Sequence, residues 1–332
     1  MPTRRNALIT IGGAATIAGC SSSEPESQAD SEPEENTSSS PENETESVGN
    51  ETNQEEVENE TEEEDGEENE EEEPQDPQQI AEIEAAINIL EDSLQEYVSF
   101  LDNEEATILD VTSELEGFDF LSVVNTANDA EEELDEAEQF EDRESVLSTI
   151  ETLRTEYNLI DTIARAQNQG QNSVTGAQEL LTALEEDGQS TRAQNQLQDT
   201  IEEFEQYTTE LQSDINGVSS PIVRDKQIYE QKTTQLQNEL ETLKILSSIR
   251  SDFNEANNTL DSANTAYNNE NYSQAERLAE DAEEQFSEIA DTLSERDGTV
   301  LSDLVGDFES AVQSKTISAQ SLQDRASNPP DN

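Results

Sequence analysis

Reactive side chains are scarce in this chain of 332 residues. It has a single cysteine, Cys20, and neither histidine nor tryptophan. Without histidine, the usual general base and nitrogen metal ligand near neutral pH is missing. Without a second cysteine there is neither a disulfide nor a thiolate zinc site. Carboxylates are spread so widely, 82 Asp and Glu in all, that no pair stands out as an acid–base couple. No EF-hand spacing, phosphate-cradling glycine loop or Gly-x-Ser-x-Gly turn occurs. The residue types point away from catalysis. No enzyme activity, cofactor or defined metal site is expected, and divalent ions are expected only to condense loosely on acidic stretches.

Chemistry then falls to Cys20 and the residues before it. Arg4 and Arg5 form a charged start, and residues 7–19 form an apolar run. Thirteen residues are too few to span a bilayer, which takes about 20, and they suit the apolar core of an export signal. The twin arginines match an address for the export route that carries folded chains, although Ala7, followed by Leu8, stands where such signals usually place a bulky aromatic. Ile17-Ala18-Gly19-Cys20 is similar to a lipobox: a branched apolar residue, two small ones that let a peptidase reach the backbone, and a thiol that takes the lipid. Residues 1–19 are therefore read as a signal peptide, and Cys20 as the lipidation site.

Composition sets the context. The chain holds 82 acidic and 15 basic residues, a net charge of −67, and the basic ones are eleven arginines and four lysines. Such a charge repels nucleic acid and anionic surfaces, so nucleic-acid binding is not expected. High Asp and Glu with low Lys suits solubility at molar salt, where screening weakens self-repulsion. Together with the first 20 residues, the chain resembles haloarchaeal secreted lipoproteins with twin-arginine signals. That resemblance implies a lipid thioether on the cysteine and display at the extracytoplasmic face of the cell membrane.

Residues 20–77 read as a disordered acidic linker. From Glu24 to Asp76 there are 25 acidic residues, no basic one, and only Ala29, Val48 and Val57 as apolar side chains. Such a segment buries too little surface to offset its ordering entropy, and its charge extends it. It is long enough to hold a domain roughly 50 to 100 Å from a membrane. It carries Asn-x-Ser/Thr triplets at Asn36, Asn43, Asn50 and Asn59, and two more follow at Asn257 and Asn271. All six are candidate N-glycosylation sites.

Beyond Pro74 and Pro77 the pattern switches to apolar residues three and four apart, so residues 78–327 are read as helical, with a possible subdivision at 217–221 and a disordered tail over 328–332. Ile80, Ile83, Ile87, Leu90, Leu94, Tyr97 and Leu101 form a heptad seam. Ile108, Val111, Leu115 and Phe118 keep its phase, so 78–118 is one helix or two, with a stop and restart at Gly117 and Asp119. Phe120 to Ala137 form the next seam and Val146 to Ile160 its return. Asn168 to Asn172, around Gly170, read as a turn before a short helix ending at Asp187-Gly188. Ala193 to Leu211 continue, and Gly217 to Pro221 break the pattern. A helix of about 45 residues is expected from Ile222 to Tyr267. Ser273 with Glu276 then reads as a capping box, opening a helix over Ala275 to Leu293, and Leu301 to Leu322 form the last one. No strand pattern is present. The short gaps make neighbours antiparallel, and the expected fold is all-α: an elongated antiparallel helical bundle built of coiled-coil hairpins.

Residues 263–290, with Ala266, Tyr267, Tyr272, Ala275 and Ala279, resemble the helical hairpin of tetratricopeptide repeats. Similar small-residue turns occur at Ala137 to Val146 and Ala183 to Ala193, but their separations of 47 and 82 residues depart from one repeat period. Stacked repeats remain the alternative to the bundle. Tyr267 and Tyr272, beside Asn268, Asn269 and Asn271, are either core packing or a polar recognition surface. The functional expectation is a lipid-anchored interaction or scaffold protein whose helical domain meets protein partners. The alternatives are a ligand-binding module of a transporter or receptor system, and a passive envelope spacer. The expected partners are the membrane, through the Cys20 lipid, and one or more proteins.

Overall fold

The structure, a computed structural model, describes residues 77–140, 144–186, 190–296 and 300–329. These residues form seven α-helices and, among them, no strand: α1 (Pro77–Val98), α2 (Phe120–Glu138), α3 (Glu144–Glu185), α4 (Ser190–Gly217), α5 (Lys226–Asn268), α6 (Tyr272–Ser294) and α7 (Ser302–Ser327). Consecutive helices pack as antiparallel hairpins, as the seams require. The polar contacts run in opposite directions along each pair: Gln79 meets Ala137 and Ser93 meets Val123 across α1 and α2, while Gln320 meets Glu283 and Ser327 meets Glu276 across α7 and α6. Helices α3 and α5, of 42 and 43 residues, also touch each other, and each touches α7. The helices range from 19 to 43 residues, so no unit of constant length repeats. Among the described residues no helix is long and apolar enough to cross a membrane.

Most of the seams bury as their spacing demands. Val123, Ala127, Ala130, Leu134 and Ala137 of α2, Leu197, Ile201, Phe204 and Leu211 of α4, and Ala275, Ala282, Phe286, Ile289 and Leu293 of α6 are all in the core. In α1 the buried stripe is Ala86, Leu90, Leu94 and Tyr97, whereas Ile80 is 39% exposed. Asp119 caps α2 by accepting from the Leu121 amide at 3.1 Å, next to Gly117 with its positive φ of 79°. This is the restart read from those two residues, although no helix stops there, since α1 ends at Val98.

Four expectations are corrected. Residues 99–119 are not helical, although Ile108, Val111 and Phe118 are buried. Local turns hold this segment: Asn103 accepts from the Glu105 amide, and Asp110 from both the amide and the hydroxyl of Thr107. The apolar side chains reach the core from a loop, so their three-and-four spacing does not report helical phase. Asn168 to Asn172 are not a turn, because α3 runs through them without a break. Helix propensity is poor there, but packing overrides it: Gln167, Ser173, Val174 and Ala177 are all buried. Ile222 lies outside α5, on the connecting loop, and is 42% exposed. Finally, α6 starts one residue before Ser273, with Asn271 at the cap, and Glu276 accepts from Ser327 instead of closing a capping box. The preceding turn explains the shift. The Asn271 amide reaches the Ala266 carbonyl and the Glu270 amide reaches that of Tyr267, with Glu270 at φ 62°. This Schellman arrangement ends α5 and sets where α6 begins.

Candidate functional site

The polar chemistry of the described residues concentrates where the 99–119 segment crosses α3 and α5. Lys232 and Glu239 of α5, Gln167 of α3, Tyr97 of α1 and Ser113 of the segment are each at most 2% exposed. They form a closed ring of hydrogen bonds. The Lys232 ammonium donates to the Val111 carbonyl and to Gln167 Oε1, the latter at 2.8 Å. Gln235 Nε2 bridges the same carbonyl, at 3.1 Å, to Glu239 Oε1, at 3.0 Å. Glu239 Oε2 accepts from the hydroxyl and the amide of Ser113. Gln167 Nε2 closes the ring on Ser113 Oγ at 3.5 Å, and the Tyr97 hydroxyl donates to Gln167 Oε1 at 2.8 Å. The ammonium also lies 5.5 Å from the centroid of the Tyr97 ring.

A glycine makes this crossing possible. A Cβ on Gly170 would collide with the Ser113 hydroxyl and press on the Phe204 ring at 3.2 Å. The residue that reads as a turn signal is therefore a place of close approach inside a helix. The segment is tied down further where Gln171 Nε2 donates to the Leu115 carbonyl and where Glu114 accepts from the Leu304 amide, at 2.8 Å, at the start of α7.

Burial shapes the ionisation of the ring. It pushes the Lys232 ammonium down to about 8, against the opposing pull of Glu239 and Asp110. It pushes the Glu239 carboxyl up, against the pull of Lys232 and the hydrogen bonds from Ser113 and Gln235. The Tyr97 phenol is raised well above its usual value by burial first and by Glu239 second. Lysine, tyrosine, serine and glutamate are residue types of proton-transfer sites. These five side chains, however, are sealed from solvent, and their hydrogen bonds go to one another, to the backbone and to Gln235. What the arrangement does is pin a non-helical segment onto two long helices.

A second buried carboxylate does similar work. Glu156 of α3 accepts from the amides of Ile222 and Val223, the latter at 2.9 Å, and from the Tyr229 hydroxyl at 3.5 Å. Burial raises its carboxyl despite those bonds. It anchors the loop between α4 and α5, whose Val218 and Val223 are buried. On the surface, Glu82 of α1 and Glu133 and Glu136 of α2 bring carboxylate oxygens within 4.8 Å of one another, and contact with Glu82 raises the Glu133 carboxyl. The accessible concavities are open grooves between helices. One, of about 310 Å³ between α5 and α6, is lined by Ser248, Asp252, Glu255, Gln285, Glu288 and Thr292 among others.

The residues singled out from sequence fall in two groups. Arg4, Arg5, Ile17, Ala18, Gly19 and Cys20, with Asn36, Asn43, Asn50 and Asn59, lie outside the described residues. Asn257 is half-buried within α5, and Asn271 is exposed at the cap of α6. Tyr267 and Tyr272 meet edge to face at 5.5 Å, and the Arg325 guanidinium lies 5.2 Å from the centroid of Tyr267. Sequence reasoning missed Lys232, Glu239, Gln167, Ser113 and Glu156. For two of them a signal was present: Lys232 and Glu239 stand seven apart inside the apolar stripe of Tyr229, Leu236, Leu240 and Leu243, in a chain with only four lysines. Comparison with protein-family models, with curated proteins and with solved structures finds no match to this chain.

Proposed function

We propose that this chain is a lipid-anchored protein of the extracytoplasmic face of the membrane, whose helical domain is an interaction or scaffold module. The observation that carries the proposal is the run from Arg4-Arg5 to Ile17-Ala18-Gly19-Cys20, followed by an acidic stretch suited to a tether. The character of the helical domain supports the module reading. Its buried ionisable groups Tyr97, Lys232 and Glu239 are sealed in the core, where they hold the 99–119 segment. Among the described residues its accessible grooves are open rather than enclosed. That suits a protein surface better than a small ligand, which needs a cleft that encloses it.

Fractionation of cells expressing the wild type and Cys20→Ser tests the anchor. The wild type is expected in the membrane fraction with residues 1–19 removed. Cys20→Ser is expected either in the soluble fraction or as an unprocessed precursor. A processed Cys20→Ser chain that stays with the membrane to the same extent would contradict the proposal.

A further inference from the structure

Two Asn-x-Ser/Thr triplets fall within the helical domain, and the fold presents them differently. Asn257-Asn258-Thr259 lies inside α5. Two residues apart on a helix, side chains point about 200° from each other, so Asn257 and Thr259 cannot present their groups together. The Thr259 hydroxyl is already bonded to the Glu255 carbonyl at 3.0 Å. Asn257 is half-buried, and Phe253, Ala256 and Leu260 around it belong to the core. Presenting this triplet to an enzyme would mean melting a packed interior stretch of the 43-residue helix.

Asn271-Tyr272-Ser273 occupies the turn from α5 into α6. Asn271 is exposed, has non-helical φ −86° and ψ 62°, and makes no capping hydrogen bond with its side chain. Ser273 is exposed in the first turn of α6, where terminal residues fray most readily. Among the described residues, neither the Asn271 side chain nor the Ser273 hydroxyl has a hydrogen-bond partner. A side chain at the cap position can fold over the second and third helical residues, which brings the amide and the serine of this triplet to one side of the chain. The route addressed by twin arginines carries folded proteins, so the acceptor has to be presented by the fold.

We propose that Asn271 is the N-glycosylation acceptor of the helical domain and that Asn257 is not used. The proposal rests on the extracytoplasmic reading above, since transferase and donor act on that side. The donor is a sugar carried on a polyprenol phosphate. Nδ2 of Asn271 attacks the anomeric carbon of that sugar. The carbon–nitrogen bond forms as the bond from that carbon to the phosphate oxygen breaks. The phosphate leaves with the electron pair, one amide proton passes to a base of the transferase, and nothing is oxidised or reduced.

The test uses the full chain, purified and folded at molar salt. It is incubated with membranes holding an active oligosaccharide transferase and a polyprenol-phosphate sugar, beside a short acceptor peptide that confirms activity. Peptide mass spectrometry reads each triplet. Sugar is expected on Asn271 and not on Asn257. Asn271→Gln and Ser273→Ala each lose it, while Asn257→Gln leaves it unchanged. Sugar on Asn257, or a bare Asn271 while the control peptide is labelled, overturns the proposal. Because enzyme and donor are supplied, a failure of the extracytoplasmic reading leaves this result intact. That failure registers only in the fractionation of Cys20→Ser.

Discussion

Two regions of the molecule hold long helices together by opposite means. Between α5 and α6 the contact is a seam of Ala256, Ala263, Ala279 and Ala282, with Phe253 and Phe286 meeting edge to face at 5.6 Å. Where α1, α3 and α5 meet the 99–119 segment, the contact is the ring of Lys232, Gln235, Glu239, Ser113 and Gln167. An apolar seam loses stability in proportion to the surface and volume removed. A buried polar ring is conditional, because deleting one member leaves its partners desolvated and unsatisfied. The seam therefore sets the helical hairpins, and the ring sets where the loop must lie.

The largest contrast is with the surface. Residues 77–332, the helical domain with its tail, carry 57 acidic and 13 basic side chains, a net of −44. Its exposed carboxylates repel over a Debye length of about 30 Å at 0.01 M salt and about 3 Å at 1 M. Helicity measured by circular dichroism is expected to fall in dilute buffer and to return at molar salt. The buried ring escapes this screening, so the stability difference between wild type and Lys232→Met is expected to be the same at 1 M and 3 M salt.

Lys232→Met is the next largest effect. It leaves Glu239 without its cation inside the protein, at a cost of about 3–5 kcal/mol. Phe286→Ala in the seam is expected to cost a similar amount, about 3–5 kcal/mol. Adding Glu239→Gln separates the two mechanisms. In urea titrations it should recover more than half of the Lys232→Met loss and none of the Phe286→Ala loss. Equal recovery in both would remove the distinction between ring and seam.

Glycine substitutions give a smaller contrast, and one of sign. A Cβ at Gly170 meets Ser113 and Phe204, so Gly170→Ala is expected to destabilise by about 1–3 kcal/mol. Nothing lies within 4 Å of a Cβ at Gly306 in α7, so Gly306→Ala is expected to stabilise by about 0.5–1 kcal/mol. Thermal midpoints moving in the same direction for both would contradict the close approach at Gly170.

A further contrast is in pH dependence. Burial holds Lys232 at about 8 in the folded chain, against 10.5 for a free lysine. Between those values the unfolded chain binds more protons than the folded one, so this group makes stability rise with pH. Urea midpoints of the wild type should gain on those of Lys232→Met between pH 8 and 10.5. A parallel pair of curves would show that Lys232 does not titrate in this range.

The same contrast explains what was legible in the sequence. The seams of α2, α4, α6 and α7 were, because each apolar position repeats a contact that the helix period imposes. The path of 99–119 was not. Ile108, Val111, Leu115 and Phe118 satisfy the helical spacing, yet their burial is decided by residues far along the chain. Gly170 was misread for a related reason, since a glycine marks equally a turn or a close approach, and only the partners Ser113 and Phe204 decide which. The ring itself was hidden because its members come from four separate stretches, although Lys232 and Glu239 within an apolar stripe were a visible anomaly. The proposed lipobox at Cys20 asks nothing of the fold, because a signal of that kind is read as a linear stretch.

The anchor is the claim on which the functional reading stands. Intact mass spectrometry of the protein extracted from membranes addresses it most directly. The predicted species begins at Cys20, lacks residues 1–19, and carries the added mass of a thioether-linked lipid. A mature chain with unmodified Cys20, or one still bearing residues 1–19, would contradict it.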